Sequence, residues 1–306
     1  MAGAFDISQY DALFASRTTP EDWAHIVAFR NRAHFLDAAM RYIEISGPFY
    51  RNNIFLNKIL PEVWRFQMIA LHLHLHDTRD PSDPRSGLTL GNFQRICKQL
   101  SLASPGRAFA FLSLMRVGGY LTRASEQRDA RIVRLEPTPY ALATLEKWND
   151  GIFEMIDVAT PEISLLKMRA IYPQLGREMR RRSAERLVAG WQPLVPFPEV
   201  LHFAATDGGW MLLAHCVTEA LRSGNGIAPV SIKLDSFGKE YGGSRSHLRR
   251  LLEGAFADGL LEAPPANGAD IRISPRLACA FLAWFASYLA GYQRSALAAL
   301  AELEAT

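Results

Sequence analysis

Two stretches of this chain, 140 residues apart, carry the same order of helix signals. In each, a serine precedes an apolar-periodic run that ends at a glycine: Ser104 and Gly119 in the first, Ser244 and Gly259 in the second. Serine is preferred just before a helix and glycine just after one, so each stretch predicts a helix with defined ends. Agreement of these positions in one register predicts two copies of a single structural module.

The first copy, residues 101–135, predicts a helix followed by a β-hairpin. Pro105 suits the first helical position, and apolar residues then recur on one helical face. After Gly119, two β-forming segments at residues 120–121 and 133–135 enclose a polar stretch that suits a hairpin tip in water. A helix, a glycine turn and a hairpin together describe a winged helix, whose helix enters a major groove and whose hairpin, the wing, contacts the neighbouring backbone or minor groove.

Further matches extend the repeat on both sides of this unit. The matching positions, first copy before second, are Trp64 and Trp210, residues 88–90 and 230–232, and, at an offset of 138, Pro137 and Pro275. The offset of 138 predicts a second wing two residues shorter than the first. We therefore expect a mainly α protein with small β-hairpin wings, built as tandem winged-helix modules related by an internal repeat.

Chain length and a proline-rich break predict the module boundaries. A chain of 306 residues suffices for two domains with their own cores, and three prolines interrupt residues 193–198. We predict an N-terminal helix plus the first winged-helix module over residues 1–160, a basic helical and Pro-rich joint over 161–198, and the second module with a C-terminal interface helix over 199–306. The arginine-rich part of the joint is expected to be a solvated helix face, with phosphate contact as the alternative.

The first wing carries an Asp129-x-Arg131 motif, followed by an apolar strand and by Glu-Pro-Thr-Pro at residues 136–139. In this order the segment resembles the multiple-antibiotic-resistance regulator (MarR) family of transcription regulators, over roughly residues 50 to 150. The resemblance implies a winged helix-turn-helix that binds duplex DNA, with Asp129 orienting Arg131 and Arg131 entering the minor groove. Members of that family are usually dimers of shorter chains, so two modules in one chain depart from the pattern.

The two copies differ in charge on the surfaces expected to meet DNA. The outward residues of the second helix are Arg245, Ser246, His247, Arg249 and Arg250, whereas those of the first are Pro105, Gly106, Arg107, Phe109 and Ala110. The first wing holds four arginines against two acids, and the second holds one arginine against two acids. The second module is therefore expected to dock mainly through its helix, and the first mainly through its wing.

We predict twelve DNA-binding residues, distributed over both copies. They are Ser104, Arg107, Arg123, Arg128, Asp129, Arg131, Ser244, Arg245, Ser246, His247, Arg249 and Arg250. The five that would neutralise phosphates are Arg107, Arg123, Arg128, Arg131 and Arg245. Base recognition would come from His247, Arg249 and Arg250. The alternative for the first module is a surface for a partner or for dimerisation, which an exposed Phe109 would favour.

These features predict a sequence-specific, duplex-DNA-binding transcription regulator that acts as an internal pseudo-dimer. Two alternatives stay open: a replication initiator or other architectural DNA protein, and a protein–protein interaction module with degenerate winged helices. The net charge of +3 permits nucleic-acid binding without demanding it. The sequence also leaves open a small-molecule effector and pairing into a homodimer. For Trp23, Trp64 and Trp210, an aromatic core is the expected role and a ligand pocket the alternative.

No catalytic motif is present, so we expect neither an enzyme nor a cofactor. The patterns GxxxxGK[ST], GxGxxG, GxSxG and HExxH are absent, and the YGGS segment at residues 241–244 lacks the lysine of a phosphate loop. That segment predicts a turn into the second helix. His72, His74 and His76 suggest a metal cluster, but on a helix only His72 and His76 share a face; we expect no metal site, with metal sensing as the alternative.

Cysteine usage and hydropathy predict a cytoplasmic protein without a membrane span. Cys97, Cys216 and Cys279 lie far apart, which argues against a disulfide framework; inert buried thiols are expected, with a redox sensor as the alternative. The first 14 residues lack the basic start of a signal peptide. Residues 277–293 are uncharged but short and alanine-rich, which favours a helix covered on more than one side over a span.

Overall fold

The computed structural model describes residues 6–53, 57, 63–124, 133–223, 229–265 and 270–305. Over these residues the predicted mainly α fold with a small antiparallel hairpin is confirmed. The helices, in chain order, are α1 (Asp11–Ala15), α2 (Pro20–Arg30), α3 (Phe35–Tyr50), α4 (Val63–Asp77), α5 (Leu90–Gln99), α6 (Pro105–Val117), α7 (Pro139–Ala159), α8 (Leu165–Ile171), α9 (Leu175–Val188), α10 (Pro198–Ala204), α11 (Gly209–Arg222), α12 (Leu234–Tyr241), α13 (Arg245–Ala257) and α14 (Pro275–Ala305). The strands are β1 (Leu121–Arg123) and β2 (Leu135–Pro137).

Contacts divide the chain into two compact units, each assembled from separate segments. Unit 1 comprises residues 1–62, 151–165 and 192–293, and unit 2 comprises residues 63–150, 166–191 and 294–306. The helices α7 and α14 contribute to both units, because each runs across a boundary. This division follows contacts between distant segments, whereas the boundaries predicted at residues 160 and 198 divide the chain in order.

The core of unit 2 forms where α4 packs against α9 and α5 packs against α6. Phe93 of α5 is fully buried and stacks on Phe111 of α6, with ring centroids 5.8 Å apart. Thr89 caps α5 by accepting the backbone N–H of Asn92, and it also pairs with Arg134 in an antiparallel bridge. The hairpin β1–β2 continues this small sheet, with Leu121 opposite Pro137. A helix pair and a sheet edge thus hold α6 in place.

The core of unit 1 is an aromatic cluster between α3, α11 and the first part of α14. Trp210 donates its indole N–H to the hydroxyl of Tyr42 at 2.9 Å, and its ring lies 4.7 Å from that of Trp284. Residues 277–290 are all buried, which confirms the prediction of a helix covered on more than one side. Among the described residues, no helix combines the length and the hydropathy needed to cross a membrane.

The arginine-rich helix α9 differs from its predicted role as a solvated face. Arg180 lies 3.0 Å from Glu146 with only 12% of its side chain exposed, and Arg182 pairs with Glu302. Arg181 bonds two acids of its own helix, Glu178 and Glu185. The prediction was wrong because acids far away in the sequence, on α7 and α14, lie against this helix and neutralise its charge.

Candidate nucleic-acid interface

Both predicted recognition helices, α6 and α13, begin at their serine caps. The Ser104 hydroxyl accepts the backbone N–H of Arg107 at 3.4 Å, and the Ser244 hydroxyl accepts that of His247 at 3.2 Å. Each bond satisfies one of the first-turn N–H groups that a helix leaves without a partner. The two cap serines therefore serve the helix ends, and both hydroxyls lie on exposed residues.

Both helices also end in the same left-handed glycine geometry. Gly119 and Gly259 have φ angles of 75° and 70°. Beyond them, the N–H of Tyr120 and of Leu260 each return to a carbonyl five residues earlier, at 2.9 and 2.8 Å. This is the Schellman arrangement, which satisfies the last carbonyls of a helix and reverses the chain into the hairpin.

The turn between α12 and α13 confirms the expected role of the YGGS segment. Gly242 and Gly243 have φ angles of 92° and 88°, which L side chains rarely adopt. A Cβ atom added at Gly243 would lie 2.9 Å from the backbone oxygen of Asp207. The two glycines thus let the chain enter α13 while the loop before α11 packs closely against the turn.

The outward face of α13 is polar along its whole length. The opposite face is buried through Leu248, Leu251, Leu252 and Ala255. Ser246, Arg250 and Glu253 are exposed, and their i, i+4, i+7 spacing places them on one stripe directly opposite this buried face. Arg249 lies beside the stripe, and its Nε donates to Glu253 Oε1 at 2.9 Å. The predicted base-contacting arginines are therefore at the surface, together with a carboxylate.

The N-terminal end of α13 has a second exposed ion pair. Arg245 lies 3.5 Å from Asp235 of α12, with the two side chains 54% and 64% exposed. His247 is half-buried. Sequence analysis did not identify Asp235 or Glu253. The signal for Glu253 was available, because it follows Arg249 by four residues, which is a favoured spacing for ion pairs on a helix.

The corresponding face of α6 carries small and apolar side chains. Phe109 is 56% exposed and Val117 is 85% exposed, as expected for a face without a base-contacting role. Ala110 is exposed, and Ser113 is half-buried on the same side. Arg107 is exposed in the first turn. This face offers one cation and few hydrogen-bonding groups for base edges.

The first wing is described only at its base. Arg123 is exposed on β1. Arg128, Asp129 and Arg131, the residues assigned by the MarR resemblance and by charge, lie outside the described residues. Arg134 was counted among the wing arginines, but it is 8% exposed. The described part of the wing therefore presents less charge than the sequence suggested.

The second hairpin is shorter than the sequence matching predicted. Ser274 N donates to Leu260 O at 2.9 Å, as Thr138 N donates to Tyr120 O at 3.0 Å. Equivalent positions after the hairpin thus differ by 136 residues, and the second wing is four residues shorter instead of two. The match of Pro275 is Pro139, since both prolines open a long helix. Only Leu261 and Ile273 pair in a bridge within this hairpin.

The histidine row and the cysteines lie mainly in the cores. His72 is 2% exposed, and burial lowers its pKa to about 4. Burial raises the pKa of the Cys97 thiol to about 11 and that of Cys216 to about 12, which disfavours reactive thiolates. Within the described ranges, no group of three or more metal-ligating side chains comes together.

A cleft of about 460 Å³ lies in unit 1 among α3, α11 and α12. Its charged groups largely pair with one another: Arg222 bonds Glu44 and Glu219, and Arg51 bonds Glu240. The predicted tryptophans do not line it. Trp23 stacks on Phe14 and Trp210 lies in the aromatic cluster, so both serve the core as expected.

Comparisons with protein-family models, with curated proteins and with solved structures find no match for this chain.

Proposed function

We propose that this protein is a cytoplasmic, sequence-specific, duplex-DNA-binding transcription regulator made of two MarR-like winged-helix modules in one chain. The outward face of α13 carries the proposal: Ser246, Arg249 and Arg250 extend into solvent from a helix whose opposite face is buried. A helix presented in this way after a tight turn is the element that helix-turn-helix proteins insert into the major groove. Arginine pairs bidentately with guanine, and serine bonds phosphates or base edges.

Matching hydrogen bonds support the interpretation of two modules. The cap bonds of Ser104 and Ser244 and the return bonds beyond Gly119 and Gly259 recur at the same 140-residue offset. Each unit also pairs the segment before its first module helix with the far strand of its hairpin, through Thr89 in one and Val230 in the other. The same scaffold with different outward side chains supports an internal pseudo-dimer of unequal halves.

The proposed roles of the two halves differ. Unit 1 recognises bases through α13, whereas unit 2 contacts the DNA backbone through Arg107 and the wing residue Arg123. The exposed Phe109 and Val117 also favour a second function for α6, as a protein-contact surface. That observation keeps the interaction module as the second candidate, without a DNA role for α6.

A salt-dependence measurement tests the proposal. Binding to duplex DNA should weaken as salt increases, with a slope of log K against log salt of about −0.9 per phosphate contacted. Arg250→Ala should lower affinity for the preferred duplex by about 1 to 3 kcal/mol relative to random duplex. The control is Arg32→Ala, which removes the same charge from the loop after α2 and should leave this preference unchanged. An absence of duplex binding at about 50 mM salt would contradict the proposal.

Mapping the preferred sites separates the regulator from the replication initiator. A regulator should occupy sites beside promoters, whereas an initiator should occupy repeats at a replication origin. Occupancy restricted to an origin would replace the proposed function with the initiator role and would leave the proposed use of α13 intact.

A further inference from the structure

The centre of the outward face of α13 holds an acid as well as a base. Ser246, Arg250 and Glu253 form the stripe opposite the buried leucines, so the Glu253 carboxylate would enter a groove together with Arg250. Half of the Glu253 side chain is exposed. The bond from Arg249 Nε at 2.9 Å holds the carboxylate against the helix surface. A docked α13 would therefore bring a negative charge close to the bases.

A carboxylate in this place is unfavourable unless the DNA supplies a hydrogen-bond donor. Phosphates repel it on every duplex alike, and guanine and thymine offer it acceptors in the major groove. Cytosine presents its N4 amino group there, and glutamate accepts hydrogen bonds from that group. The gain from one base and the loss on the others make this a contact that discriminates.

We propose that Glu253 is a specificity-determining residue, whose carboxylate accepts a hydrogen bond from the N4 amino group of a cytosine in the major groove. The inference rests on the proposed DNA-binding function and names the base that one side chain selects. Arg249 is a positioning residue in this arrangement, since its bond to Glu253 orients the carboxylate. Arg250, one helical turn before Glu253, contacts the adjacent base pair.

Asp235 provides a matched comparison on the same surface. It is an exposed carboxylate paired with an arginine, as Glu253 is, but it lies on α12, away from the central stripe. Its charge should lower affinity for every duplex by a similar factor. It should not select a base.

Selection from a randomised duplex library tests the inference, with the full-length protein, Glu253→Gln and Asp235→Asn. Glutamine keeps the shape of glutamate but removes its charge, and it pairs with adenine through N6 and N7. Glu253→Gln should change one cytosine of the selected motif to adenine, or lower its preference about fivefold or more. Asp235→Asn should return the motif of the unchanged protein with higher affinity for all duplexes.

Identical motifs for the unchanged protein and Glu253→Gln would overturn the inference and leave the proposed function standing. Duplex binding without any motif would do the same to the inference and would limit the function to non-specific binding. No duplex binding by the unchanged protein would overturn both. Circular dichroism and thermal unfolding of Glu253→Gln should match those of the unchanged protein, since the substituted side chain is at the surface of the helix.

Discussion

Trp210 donates its indole N–H to the hydroxyl oxygen of Tyr42, 2.9 Å away, in the aromatic cluster of unit 1. Burial raises the pKa of Tyr42 well above its usual range, so this hydroxyl stays neutral. Tyr42→Phe would leave the indole N–H without its acceptor and should lower the free energy of unfolding by about 1 to 3 kcal/mol. Denaturant unfolding measures the change.

The control for this prediction is Tyr140→Phe. Tyr140 is 57% exposed, so its hydroxyl exchanges a protein surface site for water at little cost. Its free energy of unfolding should stay within about 0.5 kcal/mol of that of the unchanged protein. Equal losses for the two variants would contradict a role for the Trp210–Tyr42 bond.

His72 predicts a pH dependence of stability in unit 2. Burial lowers its pKa from 6.5 to about 4, and its Nδ1 donates to the carbonyl of Met68. Because the unfolded chain takes up the proton near pH 6.5 and the folded chain only near pH 4, the free energy of unfolding should fall as pH decreases through this window. The loss from this group approaches about 3 kcal/mol, since each pKa unit corresponds to about 1.4 kcal/mol.

Unfolding curves between these pH values, for His72→Leu and for His34→Leu, check this prediction. The first variant should lose a large part of the slope of stability against pH. The second removes an exposed histidine, paired only with Asp37 on the surface, and should change the slope little. An unaltered slope in His72→Leu would show that other groups cause the acid sensitivity.

The turn between α12 and α13 predicts a graded cost of adding a side chain. Gly243 and Gly259 both have positive φ angles, so alanine at either position should cost about 1 to 2 kcal/mol through backbone strain. At Gly243 the added Cβ would also press on the Asp207 carbonyl, whereas at Gly259 it would meet nothing within 4 Å. Gly243→Ala should therefore destabilise more than Gly259→Ala in thermal unfolding. The reverse order would contradict the close packing of this turn.

The ion pairs of α9 predict that one carboxylate stabilises two arginines. Glu146 bonds Arg169 and Arg180, whose side chains are only 19% and 12% exposed. Glu146→Gln would leave two partly buried cations without their counter-charge and should lower the free energy of unfolding by about 2 kcal/mol or more. Glu302→Gln is the control, because Glu302 is 65% exposed and a surface pair contributes less than about 1 kcal/mol. Similar small effects of both changes in denaturant unfolding would argue against this network.

Sequence reasoning was most successful at helix ends. The serine caps, the glycine stops and the YGGS turn were predicted, and the structure has them at those residues. Each depends on hydrogen bonds between residues at most five positions apart, so a short window of sequence contains the whole interaction. The outward positions of α13 followed for the same reason, from the spacing of its buried leucines.

Sequence reasoning was less successful where the partner is distant in the chain. The arginines of α9 looked solvated until their acids on α7 and α14 were located. Arg134 was assigned to the wing surface, yet it is buried where its strand meets Thr89. The length of the second hairpin was misjudged because Pro137 and Pro139 match Pro275 equally well by residue type, and only the backbone hydrogen bonds distinguish them.

By itself, the sequence determined where helices begin and end, that the chain is mainly helical, and which residues of α13 face outward, because these follow from local hydrogen bonds and apolar periodicity. The tertiary structure alone decided which arginines are neutralised, which segments assemble into each unit, and that the Glu253 carboxylate bonds Arg249 beside Arg250. The physical reason is that charge pairing and burial depend on the three-dimensional distance between groups, and that distance is set by packing of segments far apart in the chain.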